Sequence, residues 1–284
     1  MRKFLLFTFL LTILVELIGN AQAKGHLVII GGGKRSTNIM QKIVELAGGK
    51  DARIIVIPNA SSVPVETAKY QVKEFAELGV ASDYLVFSAE TVDADSNINK
   101  LKSATGIFFS GGDQSNLTKV LLGTKLLEKI YEIYNNGGVI SGTSAGAAVM
   151  SKIMITGNEI MNKDSNNAFI SIQKNNYEVK EGFGFINSAI VDQHFIKRKR
   201  MNRLISLIFE NPNLLGIGID ESTAIIVNPD DTFEVIGESL VMVMDASQNK
   251  KIETNKNEYL SGSMETHFLK EGDKFNLITK RIIQ

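Results

Sequence analysis

The sequence contains no cysteine. That excludes disulfides, thiol chemistry and a cysteine-borne lipid anchor, so any nucleophile is an oxygen or an amine and oxidising conditions do the chain no harm. Histidine is nearly as scarce: His26, His194 and His267 are the three in the chain. A mechanism that needs an imidazole therefore has a short roll of candidates. Excess charge is lacking too, because 31 Lys and Arg balance 31 Asp and Glu, and nothing in that balance indicates a nucleic-acid partner. There is no internal repeat, Pro-rich linker or low-complexity segment. The 284 residues, 44% of them hydrophobic, read as one globular domain with a sizeable core.

A long apolar run is also missing. The stretch from Phe4 to Val15 falls short of the roughly 20 residues that span a bilayer, and Glu16 interrupts its end. Preceded by Arg2-Lys3 and followed by Ala21-Gln22-Ala23, it has the charged, apolar and A-x-A order of a secretory signal peptide. The expectation is a signal peptide over 1–23, a mature chain from Lys24, no stable membrane anchor, and a secreted or periplasmic product.

From His26 to Ile140 short β-branched runs alternate with amphipathic stretches. His26 to Ile30, Arg53 to Ile57, Tyr84 to Phe87, Gly106 to Phe109 and Val139 to Ile140 are predicted strands; Thr37 to Leu46, Val65 to Leu78 and Leu117 to Tyr134 are predicted helices. That alternation belongs to βαβ units and a doubly wound, mostly parallel α/β sheet with helices on both faces. Ligands then bind at the carboxyl ends of the strands. Gly157 to Lys180 is Asn- and Lys-rich without periodicity, a lid or a plain loop. Ser188 to Val191 reads as a strand and Lys197 to Phe209 as a helix. Leu215 to Ile219, Ala224 to Val227, Thr232 to Ile236 and Leu240 to Met244 are expected to finish the sheet as a strand-rich C-terminal part. The polar extension over 250–284 is expected to add a hairpin or two.

Strand Val139-Ile140 runs into Gly142-Thr143-Ser144-Ala145-Gly146, a G-x-S-x-G before a helical stretch. A serine on a strained strand-to-helix turn projects its hydroxyl, and small neighbours let the turn close. The amides at a helix start also favour an oxyanion; a phosphate-binding turn is the bland alternative. Among the histidines, His26 begins the first strand at the wrong end of the sheet, and His267 lies in the polar tail. His194 follows a strand and emerges at the same edge as Ser144. An orienting acid is expected after Leu215 to Ile219, where Asp220 and Glu221 are adjacent; Glu221 is favoured, but periodicity does not separate them. The turn Ser110-Gly111-Gly112-Asp113-Gln114 would offer oxyanion donors at Gly112 and Asp113 beside Ala145. Lys197, Arg198, Lys199, Arg200 and Arg203 follow His194. Arg200 and Arg203 would share a helical face, either as a solvated surface or as a fork for carboxylates.

Taken together these pieces resemble the cyanophycinase branch of the serine peptidases, whose fold is related to class I glutamine amidotransferases. The matching segments are Gly31-Gly32-Gly33, Phe109 to Gln114, Gly142 to Ala147, Asp192-Gln193-His194-Phe195 with Arg198, Arg200 and Arg203, and Gly216 to Ala224. The resemblance implies a Ser144, His194, Glu221 triad and hydrolysis of isopeptide-linked β-aspartyl-arginine units of cyanophycin, or related β-aspartyl peptides. It implies substrate contacts at Gln114, Asp192, Gln193, Arg198, Arg200 and Arg203, and neither a metal nor a cofactor. Lys34-Arg35 departs from the pattern, where an acidic residue is expected, which bears on substrate choice. The alternatives are a hydrolase of other acidic peptides, an α/β-hydrolase with His267 as base, and a non-catalytic acidic-peptide-binding protein. The sequence is silent on oligomeric state, and a homodimer is carried as an expectation.

Overall fold

A computed structural model describes residues 25–161, 170–248, 253–254 and 258–284. The expected signal peptide, Met1 to Ala23, lies outside the described residues. Five strands, β1 (His26–Ile30), β2 (Arg53–Ile57), β3 (Ala81–Tyr84), β4 (Gly106–Phe109) and β5 (Val139–Thr143), pair in parallel in the order β1-β5-β4-β2-β3. In β1, β2 and β4 the apolar runs are near-continuous because both sheet faces are covered there. On one face lie α1 (Thr37–Leu46) and α2 (Pro64–Glu77), through Ile39, Met40, Ile43 and Phe75. Each such buried side chain contributes about 1.5–3 kcal/mol relative to exposure. On the other lie α3 (Asp95–Leu101), α4 (Gln114–Leu121) and α5 (Lys125–Asn135).

Two boundaries differ from expectation. The apolar period from Leu117 to Tyr134 predicts one helix, but Gly123 turns left-handed at φ +75° and Thr124 starts a second helix, its Oγ1 accepting from the Leu127 N–H at 3.2 Å. The third strand lies at Ala81–Tyr84, ahead of the apolar Tyr84 to Phe87. It is the sheet's edge, half exposed, so its polar residues carry no apolar signal.

After Ser144 come a single helical turn, α6 (Ala145–Ala148), a hairpin of β6 (Ile153–Glu159) and β7 (Tyr177–Glu181), then β8 (Ala189–Gln193) and α7 (Met201–Glu210). The stretch expected as a lid or loop is thus partly this hairpin, with residues 162–169 outside the described set.

The expectation that the following strands complete one sheet is corrected. Of β9 (Leu215–Ile219), β10 (Thr223–Val227), β11 (Thr232–Gly237) and β12 (Val241–Asp245), only β10 and β11 join the central sheet, antiparallel beside β1. β9 and β12 build a second sheet with β8. Its inner face, including Ile217, Ile219, Val241 and Val243, packs into the main core, while Met242 and Met244 meet Leu204, Leu207 and Ile208 of α7. The tail adds a short pair, β13 (Glu253–Thr254) with β14 (Leu260–Ser261), then β15 (Glu265–Leu269) on β12. Last come β16 (Lys274–Asn276) on β11 and β17 (Arg281–Ile283) beyond it. The chain passes from second sheet to central sheet between Ile219 and Thr223, and Glu221 lies on that crossing.

Candidate active site

At the end of β5 the chain reverses within one residue. Ser144 makes the turn at φ 55° and ψ −109°, a sparsely populated conformation for a residue with a Cβ. The glycines on either side serve close packing: a Cβ on Gly142 would lie 2.4 Å from the Gly146 carbonyl oxygen, and one on Gly146 would lie 2.2 Å from that of Phe109. The Ser144 N–H donates to the Ile30 carbonyl at 3.1 Å, fastening the turn to the end of β1.

The serine Oγ lies 2.8 Å from His194 Nε2, and His194 Nδ1 lies 2.6 Å from Glu221 Oε1. His194 leaves β8 at φ 50°, with its N–H on the Gly31 carbonyl at 2.7 Å. Its ring rests on bare backbone. Gly32 has φ +107°, and a Cβ there would come 2.3 Å from His194 Cε1. Sequence reasoning did not assign this role to Gly32; the triple glycine was the signal that could have done so.

Asp220 does something else. Its Oδ1 accepts from the N–H groups of Ile196 and Lys197 at 3.1 and 2.9 Å, and its Oδ2 from Ser239 Oγ at 2.8 Å. It holds the turn after His194 and leaves the imidazole to Glu221. His26 pairs with Asn228 at the opening of β1, and His267 packs at a tilt against Phe275 from β15 with Glu265 beside it. Neither shares a contact with Ser144.

His194 is 6% exposed. Burial depresses its pKa below the ordinary histidine value; the hydrogen bond to Glu221 pulls it back up, while the positive charges of Arg198 and Arg200 push it down. The base is thereby biased toward the neutral form that can accept a proton.

The expected oxyanion donors separate. Asp113 spends its N–H on the Ala60 carbonyl at 2.8 Å, and its side chain caps α4 through the Ser115 N–H at 2.8 Å. Asp113 is therefore corrected to a structural residue. No acceptor is seen among the described residues for the N–H of Gly112 or of Ala145. A four-residue α6 has little macrodipole, so these two amides carry what the turn offers an anion.

The six residues expected at the substrate also part company. Gln114 donates from Nε2 to the carbonyls of Ile155 and Thr156, both at 2.7 Å, pinning the β6–β7 hairpin. Asp192 and Arg203 are both 1% exposed and joined to each other. Arg200 Nη1 donates to the Gln193 carbonyl at 2.7 Å and also to Gln193 Oε1. Burial, then the charge of Arg203, push the Arg200 pKa down to about 10. The shared helical face for Arg200 and Arg203 is corrected as well. Lys199 turns left-handed at φ 53°, the helix starts at Met201, and Arg200 stands outside it as the cap. Arg198 is exposed, with its charge felt at His194.

A hydroxyl, an imidazole and a carboxylate in hydrogen-bonded series at a sheet edge are the parts of a serine-type peptidase, and the comparisons with known proteins give that class. The chain belongs to peptidase family S51, whose model matches residues 27–236, and within it to the cyanophycinases. It is 36% identical over 273 residues to a cyanophycinase of Geminocystis herdmanii, covering 92% of this chain and 93% of that one. It is 34% identical over 269 residues to a cyanophycinase of Synechococcus elongatus, covering 91% and 81%. A crystal structure of a peptidase from an acI-B1 Actinobacterium superposes with a TM-score of 0.66 at 25% identity, over 90% of this chain and 98% of that one.

Proposed function

We propose that this peptidase hydrolyses β-aspartyl-arginine isopeptide bonds, in cyanophycin or related β-aspartyl peptides, through an acyl-enzyme on Ser144. The observation that carries the reading is the hydrogen-bonded series Ser144–His194–Glu221, at 2.8 and 2.6 Å. His194 Nε2 takes the hydroxyl proton as Oγ attacks the β-carbonyl carbon; Glu221 holds the proton on Nδ1 and stabilises the imidazolium. The Gly112 and Ala145 amides donate to the oxygen as it becomes an anion. His194 then gives its proton to the leaving amine, and water, deprotonated by the same nitrogen, releases the β-aspartyl product.

Arg198, exposed and next to the base, is the arginine best placed to meet the aspartyl carboxylate. Arg200 and Gln193 are hydrogen-bonded to each other beside the base. We also propose action outside the cytoplasm, on the strength of the signal-peptide pattern in Met1 to Ala23; the N-terminal residue of the exported protein tests it. Among the described residues no helix is long and apolar enough to cross a membrane.

The deciding experiment incubates the mature chain with cyanophycin and with β-aspartyl dipeptides, alongside a fluorophosphonate probe. The expected result is release of arginine from the polymer and from β-aspartyl-arginine, with covalent labelling that disappears in Ser144→Ala. Labelling without any release of arginine would transfer the protein to the hydrolases of other acidic peptides, and no labelling would leave an acidic-peptide binder.

A further inference from the structure

The β6–β7 hairpin carries a carboxylate that the series at Ser144 does not use. Glu178 Oε2 accepts from Thr156 Oγ1 at 2.6 Å and from Asn158 Nδ2 at 2.8 Å. Two donors on the opposite strand thus fix its direction, and they hold its pKa below the ordinary carboxylate value. Both use the same oxygen. Among the described residues the cation paired with Oε1 is Lys180 Nζ, 3.8 Å away on a half-exposed side chain, a loose contact that solvent screens.

The hairpin is tied to the nucleophile by short steps. Gln114, which anchors the Thr156 carbonyl, opens α4 directly after Gly111-Gly112-Asp113. Gly111 lies against the serine, for a Cβ there would sit 3.3 Å from Ser144 Cβ. The hairpin has two faces. Ile155 turns toward α7, and Met154 turns into the main core with Val149 and Phe183. Thr156 alternates with Ile155 and so shares the Met154 face, and it carries Glu178 with it. At the base itself, Arg198 and Arg200 add positive charge. A cationic group on the substrate is repelled there and drawn toward the hairpin.

We propose that Glu178 is the specificity residue for a positively charged side chain on the leaving-group side of the scissile bond, its open Oε1 accepting from a guanidinium or ammonium group. The inference rests on the β-aspartyl reading above and adds to it the residue that selects arginine. Arg198 and Glu178 then divide the substrate by sign, carboxylate on one side of Ser144 and cation on the other.

The test measures kcat and KM for β-aspartyl-arginine, β-aspartyl-leucine and β-aspartyl-glutamate in the wild type, Glu178→Gln and Glu178→Lys. Glutamine keeps an acceptor for Thr156 and Asn158 while removing the charge. Glu178→Gln is expected to raise KM for the arginine substrate about tenfold, the loss of one charge-assisted hydrogen bond, with kcat and the leucine substrate nearly unchanged. Glu178→Lys is expected to favour the glutamate substrate over arginine. An equal change for all three substrates would make Glu178 a scaffold residue and overturn the proposal, as would no change. If the wild type turns over none of the three, the β-aspartyl reading itself fails and this inference falls with it; if it turns them over and selectivity ignores residue 178, only the inference fails.

Discussion

Arg203 grips Asp192 with two arms of its guanidinium, Nε 2.7 Å from Oδ2 and Nη2 on Oδ1, and both side chains are 1% exposed. A fork so enclosed is spent on the protein. Asp192 ends in β8, one residue before Gln193 and two before His194, so the pair braces the strand that delivers the base. Removing one partner of a buried ion pair costs about 3–5 kcal/mol. Arg203→Ala is therefore expected to lower Tm by on the order of 10 °C, and to lose activity through the weakened support of β8. Arg198→Ala, at an exposed position, is expected to leave Tm within about a degree while raising KM for acidic substrates. Calorimetry and kinetics on the two variants check the contrast, which reverses if Arg203 is the substrate fork.

The depressed pKa of His194 has a signed consequence for rate. The neutral ring is the base, so kcat/KM rises with pH through the His194 ionisation and reaches its plateau below the pH that an ordinary histidine, with a pKa of about 6.5, would require. Arg198 favours the neutral ring, so Arg198→Gln is expected to move the acidic limb to higher pH. Salt screens an exposed charge over about 10 Å at 0.1 M, so raising ionic strength should move the wild-type limb the same way. A limb unmoved by either change removes Arg198 from the neighbourhood of the base.

Ser144 holds its turn at a positive φ that its Cβ resists. Replacement by alanine removes the hydroxyl and keeps the strain; replacement by glycine removes both. Each is expected to lose on the order of 10⁴-fold or more in kcat. Ser144→Gly should nevertheless melt higher than Ser144→Ala, since such strain costs of order 1–3 kcal/mol. Matched pairs of melting curves measure it, and equal Tm values would show that the turn is relaxed.

The two adjacent carboxylates should fail differently. Glu221→Gln keeps the size but reverses the hydrogen-bond demand on Nδ1, and a fall of about 10⁴-fold in kcat with an unchanged Tm is expected. Asp220→Asn strips charge from an acceptor of three bonds behind the His194 turn. It should lower Tm by a few degrees, on the scale of about 1–3 kcal/mol for a weakened buried acceptor, with a smaller loss of rate. Circular-dichroism melts and single-turnover rates separate the two.

What could be read from the chain, and what could not, follows the range of the forces involved. The serine was legible because a G-x-S-x-G turn is a local object, and His194 because only three histidines compete. The parallel half was legible because strands covered on both faces become unbroken apolar runs. The same property hid the second sheet: β9, β10 and β12 are all buried at every position, and burial does not say which neighbour does the covering. The arginine phase was lost at Lys199, where one left-handed residue resets the helix start and turns Arg203 inward. Glu221 and Asp220 could not be ordered by periodicity, since they lie on a crossing that has none.

Ser144 hangs from the central sheet, while its base arrives on the last residue beyond a strand of the second. A chain whose central sheet has formed, but whose second sheet has not yet settled onto it, carries a hydroxyl with nothing to accept its proton. Such a half-assembled molecule is inert toward the peptides around it. The hydroxyl and its base meet only where the two sheets are packed against each other, so the integrity of that packing is a condition of the chemistry.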